Sequence, residues 1–198
     1  IQSIDTIQNM HFDYICTNPP WGVCKINKKA KSYTNDYVAH ITSGERFSLF
    51  FAKSYEYLKP NGVMKFLLPK SMLNVKVHRD LREFILGNGA LQEIRHYANI
   101  FSGVSTEFVG VEHKKLHKIL ESRAKSHAKL NHTKQCKIIK NNQMLEVPLS
   151  TFYISQNLNF SALSHQDVAI IEKVKAQGKF DLSQSIWALG IVTGDNKN

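Results

Sequence analysis

One stretch, Phe12-Asp13-Tyr14-Ile15-Cys16-Thr17-Asn18-Pro19-Pro20-Trp21-Gly22, limits what this chain can become. Phe12 to Thr17 alternates little and carries β-favouring residues, which predicts a buried strand. Asn18 then stands at the strand's carboxyl end, where open α/β sheets place their ligands. Pro19 and Pro20 fix their own φ angles, and Asn18 and Pro19, each preceding a proline, are biased towards extended backbone. The product is a stiff turn that presents an amide oxygen, carbonyls with no ladder to join, and a flat aromatic ring.

Those groups suit chemistry on a planar amine. An exocyclic amino group of a base is a poor nucleophile because its lone pair is delocalised into the ring. The Asn18 side-chain oxygen and the Pro19 carbonyl could accept its two N–H bonds and draw the nitrogen towards tetrahedral geometry, so that the lone pair localises. This is positioning and electrostatics, with no general base. Trp21 would hold the ring by its face, as enzymes do with a base taken out of a helix. The competing reading is a strand, a proline turn and a core tryptophan, since Asn-Pro alone is a common turn signal.

Asn18-Pro19-Pro20-Trp21 resembles the catalytic motif of amino-group methyltransferases that use S-adenosylmethionine, especially the DNA adenine-N6 enzymes. Protein-glutamine and some ribosomal-RNA methyltransferases are similar over these four residues, so the rest of the chain has to narrow the choice.

The chain has 198 residues, room for one full domain, and 42% hydrophobic content is enough for a core. A mean hydropathy of -0.29 suggests solubility. No apolar run approaches the roughly 20 residues that span a bilayer, and no segment joins a basic face to a broad apolar one, so no membrane partner is expected. No signal peptide is visible, and the chain starts without methionine, as a piece of something longer would. Cys16, Cys24 and Cys136 show no metal-ligand spacing; their small odd number suits a reducing, cytoplasmic setting, with Cys16 in the core. A net charge of +10, from 26 basic and 16 acidic residues, fits an anionic partner such as nucleic acid, or else a lysine-rich surface kept for solubility.

In chain order, Lys25 to Tyr37 is a loop whose Lys25, Lys28, Lys29 and Lys31 could track DNA phosphates or simply be solvated. Thr42-Ser43-Gly44-Glu45 reads as a capping box. The helix it opens carries Phe47, Phe50, Phe51, Ser54 and Leu58 on one core-facing side, and Lys59-Pro60-Asn61-Gly62 stops it. Val63 to Leu68 is a second buried strand, ending at Pro69. A helix over Val77 to Leu86 turns Val77, Leu81, Phe84 and Ile85 inward and stops at Gly87. Leu91 to Tyr97 is a third strand, Ala98 to Ser105 a loop, and Thr106 to Glu112 a fourth strand. The alternation of strand and helix implies parallel pairing, and the short last link implies a hairpin with an antiparallel final strand.

His113 to Lys134 is basic and helical in pattern; His113 and His117 stand four apart, but with no third ligand they read as solvated and no metal is expected. Cys136 to Lys140 and Met144 to Val147 flank a turn at Asn141-Asn142-Gln143. Ser164-His165-Gln166-Asp167 caps a helix to about Ala176, with Val168, Ile171 and Val174 or Lys175 on its inner side and Gly178 at its end.

This succession resembles the second half of a class I methyltransferase domain: α/β, Rossmann-like, mostly parallel with a last antiparallel strand. The run Asn99 to Thr106 resembles the family hairpin whose aromatic stacks on the extruded adenine, and by position Phe101 would take that role, facing Trp21. Leu189-Gly190-Ile191-Val192-Thr193-Gly194-Asp195-Asn196 resembles the opening of the DNA-recognition region in fused restriction-modification enzymes. The resemblance therefore implies residues 1–150 as the C-terminal half of a catalytic domain and 151–198 as a connector. It implies double-stranded DNA as substrate, S-adenosylmethionine as cofactor, and a restriction endonuclease domain or subunit as a further partner. Alternatives are a protein-glutamine or RNA amino-methyltransferase, or a non-catalytic methyltransferase-like subunit.

The family's glycine-rich cofactor loop precedes its NPPW motif, and neither Gly22 nor Gly87-Asn88-Gly89 replaces it, because neither follows a strand and opens a ligand-facing helix. The first strand is then expected to expose an edge inclined to pair with another chain. The 198 residues alone are predicted neither to bind the cofactor tightly nor to transfer methyl groups. A methyl-transfer assay with the intact parent protein as control checks this, and turnover by the isolated chain would overturn it.

Overall fold

A computed structural model describes residues 10–23, 38, 40–97, 107–116 and 134–178. The chain divides into two compact units, Ile1–Leu163 and Ser164–Asn198. In the first, the described strands are β1 (Phe12–Thr17), β2 (Leu58–Pro69), β3 (Gly89–Tyr97), β4 (Phe108–Lys115), β5 (Gln135–Lys140) and β6 (Gln143–Pro148). They form one sheet in the order β1-β2-β4-β3-β5-β6. β1 runs parallel to β2, and β3 parallel to β5. β4 is antiparallel to both of its neighbours, as its short link to β3 suggested, but it inserts between β2 and β3. Those two strands therefore point the same way without touching. Asn141 and Asn142, with φ of 51° and 60°, make the two-residue turn that joins β5 to β6.

Two helices, α1 (Arg46–Glu56) and α2 (Arg79–Gly87), pack on one face of the sheet. Phe47, Phe51 and Tyr55 recur every four residues, which puts them on one side of α1, and all three are buried. Phe51 meets Phe66 of β2 at 4.9 Å and Phe84 of α2 at 6.2 Å between ring centroids. Burying a side chain of that size contributes about 1.5–3 kcal/mol. Phe50 falls about a quarter-turn away and is exposed, contrary to the expectation that it belongs to the core. Leu58 is buried as expected, but as the first residue of β2; the turn at Lys59 to Gly62 lies inside that strand. There the register jumps from Phe12↔Leu58 to Tyr14↔Val63, and Asn61 takes φ of 65°.

Other expectations need correcting. Thr42 to Glu45 makes no capping box: α1 starts later, behind Glu45, whose side chain caps nothing. The Thr42 and Ser43 N–H groups instead donate to Asp80 Oδ2 at 2.7 and 2.8 Å, a carboxylate being the stronger acceptor. Val77 sits in a 3-10 turn and points outward, while His78 beside it is buried. β1 is not buried on both faces. Cys16 pairs with Lys65, and Lys65 belongs to the sheet face opposite the one that packs on α1. Phe12, Tyr14 and Cys16 share that side, and all three are exposed, Phe12 at 39% and Tyr14 at 54%. Further in, the same face carries an ion-pair cluster: Lys65 Nζ lies 3.3 Å from Glu112 and 3.6 Å from Glu93, and Arg95 lies 2.9 Å from Glu93.

His113 is neither solvated nor helical. β4 runs on to Lys115, and the inward phase of Val109 and Val111 carries His113 into the core, fully buried against Phe51 and Tyr55. Its Nε2 donates to the Ile85 carbonyl at 3.0 Å, while Nδ1 has no partner among the described residues. A Cβ on Gly89 would stand 2.3 Å from the Lys114 carbonyl oxygen and 2.5 Å from the His113 ring, so only glycine fits there. Lys115 caps α1 from the far end, donating to the Tyr55 and Leu58 carbonyls at 3.0 and 2.8 Å. Arg82 of α2 is buried too, bonded to the carbonyls of Met72, Val75 and Asn157, and burial lowers its pKa to about 10. It ties the chain leaving β2 to residues 149–160, whose Leu149, Phe152 and Phe160 complete the core.

In the second unit, α3 (His165–Gln177) has the expected capping box: Asp167 N donates to Ser164 Oγ at 3.2 Å and Ser164 N to Asp167 Oδ2 at 2.8 Å. Val168 and Ile171 are half-buried as the inner stripe requires, but Val174 is exposed, so the stripe ends after two turns.

Burial lowers the pKa of His113 to about 4, against 6.5 for a free histidine. Above pH 6.5 both folded and unfolded forms are neutral, and the group adds no pH dependence. Below it the unfolded chain takes a proton that the folded chain refuses, so stability falls with pH until about 4. The loss between pH 6.5 and 5 should be about 2 kcal/mol from His113 alone. His78 and His96, also lowered by burial, add in the same direction. Urea unfolding midpoints across this range check it, and His113→Leu should flatten the slope.

Candidate active site

β1 delivers its motif to the sheet edge as expected. Asn18 is exposed, Pro19 buried, Pro20 exposed and Trp21 half-buried, so alternate residues anchor and present. Among the described residues no hydrogen bond engages the Asn18 side chain, which leaves its oxygen open to a ligand. Gly22 turns the chain with φ of 90°, a conformation that glycine adopts without strain. Its carbonyl then accepts the Arg46 N–H at 2.9 Å, and Val23 bridges to Glu45. Since the Glu45 side chain does not cap the N-terminus of α1, the motif's own backbone satisfies one of that helix's free donors. Both ends of the turn are therefore held, one by the β1–β2 ladder and one by α1.

Trp21 packs against the core, and its ring meets Phe108 with centroids 5.0 Å apart and planes tilted by 39°. Its Nε1 is buried and has no hydrogen-bond partner among the described residues. Phe108 opens β4 opposite Pro69, the last residue of β2, and opposite Tyr97, the last of β3. The carboxyl ends of β1, β2 and β3 and the start of β4 thus form one rim bearing Trp21, Phe108 and Tyr97. The Tyr97 ring lies over Gly110, where a Cβ would come within 3.0 Å of it. At the same rim Lys70 N donates to the Glu107 carbonyl at 3.0 Å and the two side chains pair; the Lys70 ammonium holds the Glu107 carboxyl below its usual range.

Asn18, Pro19, Pro20 and Trp21 are brought together in this way. Phe101, expected to face Trp21, lies outside the described residues, as do Lys25, Lys28, Lys29, Lys31 and the tail from Leu189 to Asn196. Reading the sequence missed Phe108. The residue stood in the expected fourth strand, but only the insertion of β4 beside β2 carries it to the motif. Cys136, buried, has its thiol pushed up to about 12 and is inert at neutral pH.

Comparisons with known proteins point to one family. A family model described as Eco57I restriction-modification methylase matches residues 2–101. The type II methyltransferase M.VspI of Vibrio sp. (strain 343) is 30% identical over 188 residues, covering 94% of this chain and 43% of that protein. The chain thus spans less than half the length of that relative. Among solved structures, the type IIG restriction endonuclease BpuSI superposes with a TM-score of 0.56 at 14% identity, over 86% of this chain and 23% of its own. A modification subunit assigned to a type I restriction enzyme from Vibrio vulnificus YJ016 gives 0.53 at 16% identity, over 83% and 40%. At such identities these two show the shared α/β fold.

The turn after Trp21 should depend on glycine for conformation alone, because a Cβ at Gly22 would meet no atom within 4 Å. Gly22→Ala should destabilise by about 1–2 kcal/mol through its positive φ. Gly22→Asn should cost less, since Asn tolerates that region. Urea unfolding of the three proteins gives the comparison, and equal stability would show that the turn relaxes.

Proposed function

Because the chain belongs to the Eco57I restriction-modification methylase family, we propose that it carries the base-holding half of a DNA methyltransferase that acts on adenine N6. The observation that carries this reading is the Asn18 amide, exposed at a strand tip on a doubly anchored turn and engaged by no hydrogen bond among the described residues. S-adenosylmethionine, when bound, supplies an electrophilic methyl group. No glycine-rich loop of the kind that would cradle it stands before the motif between Ile1 and Phe12, so no residue is assigned to hold it.

On this reading the chain's own residues take the following roles. The Asn18 oxygen and the Pro19 carbonyl accept the two N–H bonds of the adenine amine, localising the lone pair that the ring would otherwise share. The turn that carries both acceptors is anchored before the substrate arrives, which limits the reorganisation needed at the moment of transfer. Pro20 keeps the turn from relaxing. Trp21 takes the extruded ring by its face, with Phe101 as the second stacking group. The departing amine proton needs no protein base, since the methylated nitrogen is strongly acidic until it loses that proton to water. Lys25, Lys28, Lys29 and Lys31 would follow the DNA backbone, and DNA affinity would then fall steeply with salt.

Asn18→Ala in the intact protein tests the assignment. Removing one preorganised hydrogen-bonding group at a reacting centre should lower methyl transfer about 100-fold or more, with DNA affinity nearly unchanged. Modification is read as N6-methyladenine released from digested DNA. Undiminished methylation by the variant would refute the role given to Asn18.

A further inference from the structure

The backbone of the turn does not by itself orient the indole. Pro19 anchors the backbone before Trp21, and the bond from Arg46 N to the Gly22 carbonyl anchors it after, yet neither fixes the two torsions that swing the ring. A buried tryptophan is usually oriented by a hydrogen bond from its N–H. Here Nε1 is buried with no partner among the described residues, so the ring's attitude has to come from packing. Its one ring contact among those residues is Phe108, at 5.0 Å and 39°.

Phe108 is itself firmly seated. It is 4% exposed, sits at the first position of β4, and is flanked by ladder pairs to both Pro69 and Tyr97. Its preceding residue, Glu107, is joined to Lys70 through backbone and side chain alike. A firmly seated ring therefore presses on one that, among the described residues, is oriented by packing alone, against the core and against Phe108.

We propose that Phe108 is a positioning residue, holding the Trp21 ring at the tilt from which it meets a planar base. The proposal rests on the reading of Trp21 as the stacking group. A platform that rocks carries the stacked base with it and moves the amine away from the Asn18 and Pro19 oxygens. That displacement harms transfer rather than capture, because stacking on a rocking ring still binds a base.

The experiment uses the intact protein labelled with 5-fluorotryptophan, with the Trp21 resonance assigned by its loss in Trp21→Phe. Phe108→Leu keeps bulk but removes the flat ring, and should shift or broaden the Trp21 signal while other resonances stay in place. It should lower kcat for methyl transfer about tenfold with KM for DNA changed by less than about twofold, since small misplacements cost rate steeply. Phe108→Tyr, which restores the ring, should recover most of kcat. In a Trp21→Leu background, where there is no ring to prop, Phe108→Leu should cost less than about twofold. Phe108→Met is read the same way should the leucine variant not fold.

An unmoved Trp21 signal, an unchanged kcat, or an equal loss in the Trp21→Leu background would each overturn the positioning role. If the intact parent methylates no DNA, the functional reading falls and takes the positioning role with it. An active parent indifferent to Phe108 sinks this proposal alone.

Discussion

Everything at the candidate site hangs from a single ladder. Among the described residues β1 pairs only with β2, over the short register from Phe12↔Leu58 to Thr17↔Phe66. The Phe12 N–H adds a bond of 2.8 Å to the Tyr57 carbonyl, where α1 gives way to β2. Parallel pairing matters here because it sends β1 and β2 to the same rim, so that Asn18 and Pro69 emerge together. Ile15, pairing with Met64, drives β1's inner side into the core and holds the strand from below. A strand with one partner and one buried side is the least that can fix a motif in space, which is why the turn beyond it needs a second anchor on α1.

That second anchor couples the site to the helical layer. Phe47, Phe51 and Tyr55 set α1 on the sheet, and the set of α1 in turn fixes where Arg46 meets Gly22. His113, Gly89 and Lys115 secure the opposite end of the same helix. The buried polar groups of this layer are therefore part of the frame for a turn that none of them touches. Arg82 extends the frame further: its bonds to three carbonyls draw the segment leaving β2 and residues 149–160 onto one helix. Cutting so many charged hydrogen bonds at a buried site is costly, because the carbonyls would be left without donors.

Local chemistry was legible where neighbours in sequence are neighbours in space. The strand at Phe12 to Thr17, the stiff turn after it, the Asn141-Asn142 turn and the Ser164 box each rest on contacts within a few residues, and each is present. Three readings failed where a distant partner competed. Asp80 outbid the capping box for the N–H groups of Thr42 and Ser43. Strand pairing with β2 and β3 carried β4 past Glu112 and buried a histidine that looked solvated among lysines. A helical layer on one side of the sheet left Tyr14 and Cys16 exposed, though their strand read as apolar throughout.

The order of residues by itself determined the amide, the two prolines, the ring and the glycine, and hence the kind of chemistry such a turn can perform, because those properties are covalent or confined to adjacent torsions. It also determined the alternation of strands and helices. Only the tertiary structure decided that β4 would slide between β2 and β3 and bring Phe108 beneath Trp21, for no local preference encodes which strands become neighbours. Pairing choices of that kind are settled by burying the Val109, Val111 and His113 side against α1 and α2, a collective quantity that no short stretch of sequence displays.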